Sequence, residues 1–354
     1  MNLEELVGDP LFQLNFILWQ AQPLPVGMPF SIRALLNEAG YSVHSIALNL
    51  SLRPHLRADV EKKGVAAQHS ASPDVILKKR LAELYVLAEA KTSSFSTSSS
   101  SASQARTFLL LQGDNLVEAL GLAVGTQATG IVTYLMKSDQ CAQMRNTLES
   151  LTKELKDGGF TCNEHCCLGL KAEPGIVKVV VETSDAKLLG LSESGEVKVY
   201  EADPETDPRP LYFIPFDPDV EQSSEEAAYA REALEQRVQS ELIAAIGKVT
   251  PPTNIQLVAD ELLEKATWGM YRLWKSGDTR RHLRTRINEF VSKTLTDKVL
   301  VSDGRRCIQI ASAEEKDEII GILMRTKPES WRGAGAQLSF DELAENAEKP
   351  KGHA

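Results

Sequence analysis

The chain has 354 residues, 42% of them hydrophobic and 25% charged, which points to a soluble globular protein with a sizeable core, of two domains more readily than one or three. A formal net charge of −10 argues against a uniformly basic nucleic-acid-binding surface. Met1 to Glu5 carry no basic and apolar leader pattern, no run approaches the length of a membrane span, and five cysteines make a poor disulfide framework, so a soluble cytoplasmic protein with no membrane partner is expected.

In chain order, Ile32, Leu35, Leu36 and Ala39 repeat with helical spacing after Ser31, and Gly40 stands where a left-handed cap would close the helix. Ile46, Leu48, Leu50 and Leu52 alternate as one face of a strand. Val75-Ile76-Leu77 and Leu84-Tyr85-Val86-Leu87, separated by Lys78-Lys79-Arg80, read as paired strands. The serine-rich segment from Thr92 to Ser103 reads as a flexible loop, with helix resuming near Gln104. Ile131 to Met136 reads as a buried strand. Met144, Leu148, Leu151 and Leu155 mark one face of a helix ending at Gly158-Gly159, and Ile176 to Val181 is a further strand. Residues 1–202 therefore form one α/β unit.

Five prolines between Asp203 and Asp219 make 203–222 a linker. Beyond it, Ser223 and Glu226 form a capping-box pattern opening a long helix to about Gly247, followed by helical stretches at about 255–273 and 279–294. Val299-Leu300-Val301-Ser302 and Arg306-Cys307-Ile308-Gln309-Ile310 flank Asp303-Gly304, a hairpin signal. Three helices and a hairpin outline a winged-helix-like domain over 223–327, with 328–354 a mobile tail containing the isolated stretch Leu338 to Leu343. Residues 271–306 hold ten Lys and Arg against four acids. A basic helix bearing Arg280, Arg281, Arg284 and Arg286, with a wing carrying Arg305 and Arg306, is the candidate nucleic-acid contact; its bland reading is a solvated charged face. Trp268 and Trp274 are expected in the core.

The chemistry-bearing pattern is Pro73-Asp74, fourteen intervening residues, then Glu89-Ala90-Lys91 at the end of an apolar strand. Alternation along a strand puts Glu89 and Lys91 on one face, and Asp74 on the neighbouring strand can reach the same point. Two carboxylates there suit Mg2+ or Mn2+, which take oxygen ligands and leave room for water and phosphate. Lys91 would orient the attacking water or offset transition-state charge. The bland alternative is a turn aspartate beside a surface salt bridge.

These residues resemble the PD-(D/E)xK superfamily of restriction-endonuclease-like nucleases over about residues 29–136. The resemblance implies a mixed central sheet flanked by helices, phosphodiester hydrolysis with DNA the likelier substrate, and relatives in restriction, phage defence or repair. Several branches carry a glutamine on the following helix with a tyrosine four residues later; here Gln104 and Phe108 stand at that spacing. Gln104 is equally readable as the closing half of a capping box with Ser101. Glu38 is the candidate extra upstream metal ligand, its alternative being a solvated helix residue.

Cys162, His165, Cys166 and Cys167 raise the question of zinc, but close ligands on one segment close a tetrahedron poorly. Phe160, Cys162, Glu164, Cys166 and Leu168 alternate as an edge strand would. Serine-hydrolase, P-loop, dinucleotide and zincin motifs are absent from the sequence. Any ATP-driven motor would have to be a partner protein. The rival expectation is a catalytically inactive nuclease-fold subunit or adaptor that binds nucleic acid or protein; self-association into a homo-oligomer is left open.

Overall fold

The computed structural model describes residues 7–22, 31–201, 224–273, 277–295, 298–302 and 305–325. The chain divides into two compact units, 1–211 and 212–354. In the first, the elements in order are α1 (Pro10–Gln20), β1 (Ser31–Ile32), α2 (Leu35–Glu38), β2 (Tyr41–Ile46), β3 (Leu50–Ser51), α3 (Pro54–Lys62), β4 (Ser70–Ala71), β5 (Val75–Lys79) and β6 (Leu84–Ala90). There follow α4 (Ser100–Leu110), α5 (Asp114–Ala119), β7 (Thr129–Lys137), α6 (Cys141–Asp157), β8 (Glu164–Glu173), β9 (Ile176–Val181), α7 (Thr183–Leu189) and β10 (Gly195–Glu201). Eight strands make one mixed sheet in the order β1-β10-β9-β8-β7-β6-β5-β2. The ladders β6–β7 and β7–β8 are parallel and the rest antiparallel, while β3 and β4 form a separate two-stranded ribbon. The fold class is thus α/β, with a large mixed sheet flanked by helices.

Burial explains the sheet's handling of its faces. On one face Ile76, Tyr85, Leu87, Val132, Tyr134, Met136 and Cys167 pack with α3, α4 and α6 in a single cluster. Helix α6 contributes Met144, Leu148, Leu151 and Leu155, the stripe read from the sequence. Arg106 on α4, itself buried, reaches Glu154 on α6 at 3.1 and 2.7 Å and donates to the Thr97 carbonyl at 3.0 Å, tying the two helices and the preceding loop together. Gly130 is required by close approach: a Cβ there would stand 2.7 Å from the Asn163 amide, which donates to the carbonyls of Phe108 and Leu111 at the end of α4.

Several expectations are corrected. The helix expected over 32–39 is only the turn Leu35–Glu38, because Ser31 and Ile32 pair instead with Glu201 and Tyr200. Alternation from Ile46 to Leu52 is not one strand: Ala47 adopts φ +49, ending β2, and Leu50 pairs with Ala71. The serine segment is not loop throughout, since the Ser99 hydroxyl accepts from the Ala102 amide at 3.1 Å and starts α4 at Ser100. β8 is an interior strand between β7 and β9, not an edge, and Cys166 to Leu170 are buried consecutively as the neighbouring ladders require. Helix α1 was not anticipated; its apolar residues lack a clean stripe, and Asp9 caps it through the Phe12 amide at 2.8 Å.

In the second unit, α8 (Ser224–Gly247), β11 (Thr253–Gln256), α9 (Ala259–Ala266), α10 (Gly277–Thr294), β12 (Val299–Ser302), β13 (Arg305–Ile310) and α11 (Ala313–Arg325) follow in order. A three-stranded antiparallel sheet runs β11-β13-β12. Leu234, Val238, Leu242 and Ile246 of α8 face Leu262, Leu263, Ile287, Val291, Ile308, Ile310, Ile319 and Leu323 in one apolar core. The helical stretch expected from 255 begins only at Ala259, because Thr253 to Gln256 are taken up as a third strand against β13. Helix α11 was not anticipated. Trp268 is buried under the Arg237 guanidinium, 3.5 Å from the ring centre. The linker 203–222, the Ser223 cap, Trp274, the Asp303-Gly304 turn and the tail 328–354 lie outside the described residues. Among the described residues no helix is long and apolar enough to cross a membrane.

Removing the Leu148 side chain opens a cavity under the helix-covered face. Leu148→Ala is expected to cost about 3 kcal/mol, toward the lower end of the range for a fully buried leucine, read as a lowered urea midpoint.

Candidate functional site

The hairpin of β5 and β6 brings Asp74 and Glu89 together at one end of the sheet. Val75 pairs with Ala88, so Asp74, just before β5, falls opposite Glu89. Two amide-to-carboxylate bonds lock this register: the Asp74 amide donates to Glu89 Oε2 at 3.1 Å, and the Ala90 amide donates to Asp74 Oδ2 at 2.8 Å. The Ala47 amide donates to the Asp74 carbonyl at 3.1 Å, so the left-handed turn that ends β2 also anchors the aspartate. Past the end of β6, the Lys91 amide still donates to the Leu135 carbonyl at 2.9 Å. That single extra ladder bond preserves the alternation, and Lys91 Nζ donates to Glu89 Oε1 at 2.8 Å.

Glu89 is only 3% exposed, whereas the Lys91 side chain keeps 25% of its surface. Burial first, and then the neighbouring charge of Asp74, pushes the Glu89 carboxyl up to about 6; Lys91 and the Asp74 amide act in the opposite direction. Burial also raises Asp74, opposed by the Ala90 amide and the Lys91 charge. Two acids are thus held close together where water stabilises them poorly, with one ammonium beside them. Among the described residues, Asp74 Oδ1 accepts no hydrogen bond and remains available to a ligand.

The other sequence-selected residues divide. Gln104 donates from Nε2 to the Ser72 carbonyl at 3.4 Å, two residues before Asp74, so α4 faces the site at this position. It closes no capping box with Ser101, because Ser99 is the cap. Phe108, one turn on, is wholly buried in the core. Glu38 is not brought to the pair: its carboxylate is held by Arg33 at 2.6 Å, and Arg33 also bonds Glu193 at 2.7 Å. Tyr41, near Glu38, pairs with Lys79 at the far end of β5 from Asp74, which places strand length between the two acids. The assignment of Glu38 as a ligand beside Asp74 and Glu89 therefore has no geometric basis.

Cys166 and Cys167 alternate across β8. The first bonds Thr133 Oγ1 at 3.2 Å, and the second lies in the core on the helix-covered face, so their sulfurs diverge. Burial pushes the Cys166 thiol up to about 12. Among the described residues no group of three or more His, Cys, Asp or Glu side chains is arranged to hold a metal ion.

On α10, Arg281 and Arg284 are exposed; Arg284 reaches Asp260 at 3.3 Å, and Arg280 lies 5.3 Å from the Tyr271 ring centre. Arg306 is half-buried on β13 opposite Val301. The side chains of Arg286 and Arg305 lie outside the described residues. Two neighbours of the acid pair were not singled out from the sequence: Ser72, whose carbonyl meets Gln104, and Tyr134, the ladder partner of Glu89 on β7. Neither stands out in sequence, since one is a loop serine and the other sits in an apolar run.

Comparison with family models, with curated proteins and with solved structures returns no match.

The raised Glu89 carboxyl has a consequence for stability. Because folding increases its affinity for protons, its contribution is fully present below the ordinary value of 4.5 and is lost as pH rises through about 6. At neutral pH the ionised form costs about 2 kcal/mol relative to a neutral isostere. Glu89→Gln is therefore expected to unfold at higher urea than the parent protein at neutral pH, and the advantage should vanish at pH 4; an equal or lower midpoint at neutral pH would contradict this account.

Proposed function

We propose that the chain is a divalent-metal-dependent nuclease of the restriction-endonuclease-like class, acting on DNA. The observation that carries the reading is the convergence of Asp74, Glu89 and the Lys91 ammonium at one sheet end. The donor set fits a hard cation. Carboxylate oxygens are its preferred ligands, and Mg2+ in particular is held through one or two carboxylates while water and substrate phosphate complete its shell. The crowding of two buried acids also favours a positive charge between them, which would offset the repulsion and desolvation that raise Glu89. Once bound, such a cation supplies a more acidic water and neutralises charge on the phosphoryl oxygens.

The chain's own residues would divide the remaining work. Asp74 offers Oδ1 while its Oδ2 is fixed by the Ala90 amide, so the aspartate is oriented without being used up. Glu89 is fixed from both sides, by the Asp74 amide and by Lys91. Lys91, on a flexible four-carbon stem and part-exposed, can leave Glu89 for a phosphate oxygen or hold the attacking water. Gln104, on the helix that faces Ser72, borders the approach.

The second unit is read as a winged-helix-like module. The order helix, strand, helix, helix, then a hairpin supports this reading, with α10 as the helix that enters a groove. A basic stretch within an acidic chain supports its use against phosphate.

Purified protein incubated with Mg2+ or Mn2+ and linear, circular and single-stranded DNA tests the reading. Cleavage is expected, and Lys91→Ala or Asp74→Ala should lower it by at least about a thousandfold with the fold intact by circular dichroism, the scale of losing a transition-state charge partner. Cutting at the parent rate in either variant would remove the catalytic assignment. A protein that shifts DNA on a gel yet leaves every form whole would instead be an inactive nuclease-fold subunit.

Arg281→Ala together with Arg284→Ala should weaken DNA binding uniformly across sequences and reduce the slope of log affinity against log salt by about two. An unchanged slope in a fluorescence-anisotropy titration would take α10 out of the interface.

A further inference from the structure

Asp74, Glu89, Tyr134 and Cys167 form a row across the helix-covered face, one on each of four adjacent strand lines. The Asp74 amide bonds Glu89, Glu89 is the ladder partner of Tyr134, and Tyr134 is the ladder partner of Cys167. Ladder partners in a parallel pair project to the same side, so the phenol stands alongside the carboxylate. Phe95, from the serine-rich loop, packs against the ring at 5.7 Å between centres and fixes its direction.

The Tyr134 hydroxyl is wholly buried and has no hydrogen-bond partner among the described residues. A buried hydroxyl left in this way is costly; the Tyr41 hydroxyl shares the condition, and the ladder position beside Glu89 is what singles out Tyr134. Burial, and after it the nearby Glu89 carboxylate, holds the phenol well above its ordinary range. Glu89 Oε2 accepts from the Asp74 amide and Oε1 from Lys91, so Oε1 loses its one donor when Lys91 leaves.

We propose that Tyr134 is a positioning residue of this site: when a phosphate draws the Lys91 ammonium off Glu89 Oε1, the Tyr134 hydroxyl donates to the oxygen so released and keeps the carboxylate aimed at Asp74. This rests on the nuclease reading. The hydroxyl gains the partner it lacks at the moment the carboxylate loses one, so Lys91 can reach substrate without leaving a buried anion short of a donor.

Tyr134→Phe removes the oxygen alone and is compared with the parent protein and Glu89→Gln in three measurements. These are thermal unfolding, Mn2+ binding followed by the free-ion electron paramagnetic resonance signal, and steady-state DNA cleavage with Mn2+. The expected result is an unfolding midpoint unchanged or raised, KM for DNA unchanged, kcat lower by roughly ten- to a hundredfold, as for loss of an outer-shell partner, and Mn2+ affinity of the DNA-free protein unchanged, since Lys91 then stays on Glu89. A parent-like kcat in Tyr134→Phe would overturn the proposal while the nuclease reading stands, because Glu89→Gln would still lose cleavage and Mn2+ binding. A lowered midpoint with unchanged kcat would overturn it equally and make the residue purely structural. A parent protein that neither cuts nor binds Mn2+ would refute the nuclease reading itself, and this inference with it.

Discussion

Two carboxylates fastened to each other's backbone at the end of a hairpin are the constraint around which the first unit is arranged. Each acid accepts an amide from the other's strand, Asp74 from Ala90 and Glu89 from Asp74, so neither can turn away without giving up a bond across the strand pair. Hydrogen bonds to a charged group are about twice as strong as neutral ones, which makes the crossed pair a clamp on the strand register. Helices α4 and α6 then close over the same face and exclude water, and that exclusion, more than the mutual charge, moves the Glu89 carboxyl. Once ionised at neutral pH, the Glu89 carboxylate therefore weakens the folded protein.

Packing around the pair is correspondingly stiff. Arg106 ties α4 to α6 and to the loop after Lys91, and Asn163 fills the space that Gly130 leaves open at the end of α4. Both are buried polar side chains that donate across elements, Arg106 to Glu154 and Thr97 and Asn163 to Phe108 and Leu111, so shape and hydrogen bonding together fix how a helix meets a sheet. The chain carrying Lys91 is therefore held on both sides, at the Leu135 carbonyl before the serine loop and at Thr97 within it. Only the ammonium end of the lysine remains free to move.

Much of this was legible in the residues because alternation and helical periodicity are local. The β5–β6 hairpin, β7, the stripe on α6, and the β12–β13 hairpin all follow from patterns of a few residues. What the pattern could not show was decided by backbone conformation and by distant partners. Nothing in Ile46 to Leu52 announces that Ala47 takes a left-handed turn, and nothing in Ser31-Ile32 announces a strand whose partner lies at Tyr200 and Glu201. The serine run looked loose by composition, yet one of its hydroxyls caps a helix. At the site, Asp74, Glu89 and Lys91 could be selected because charged residues at an apolar strand end are conspicuous. Tyr134 could not, since its relation to Glu89 exists only through a parallel ladder, whose partner is separated by a long crossover. Glu38 was selected as the upstream acid on the first helix that the resemblance implies, and an arginine five residues earlier claims it.

Connectivity sets an order of assembly. Four residues, 80–83, join β5 to β6, whereas residues 91–128 must be traversed before β7 can lie beside β6. Short loops close in microseconds or less and distant parallel pairings come late, because loop closure is cheap only at small separation. Topology thus favours a nascent chain in which the two acids meet while still hydrated and mutually screened. Their dehydration is deferred to the final docking of helices over the sheet, so the late barrier to reaching the native state, not the early one, carries the penalty of sealing charge inside.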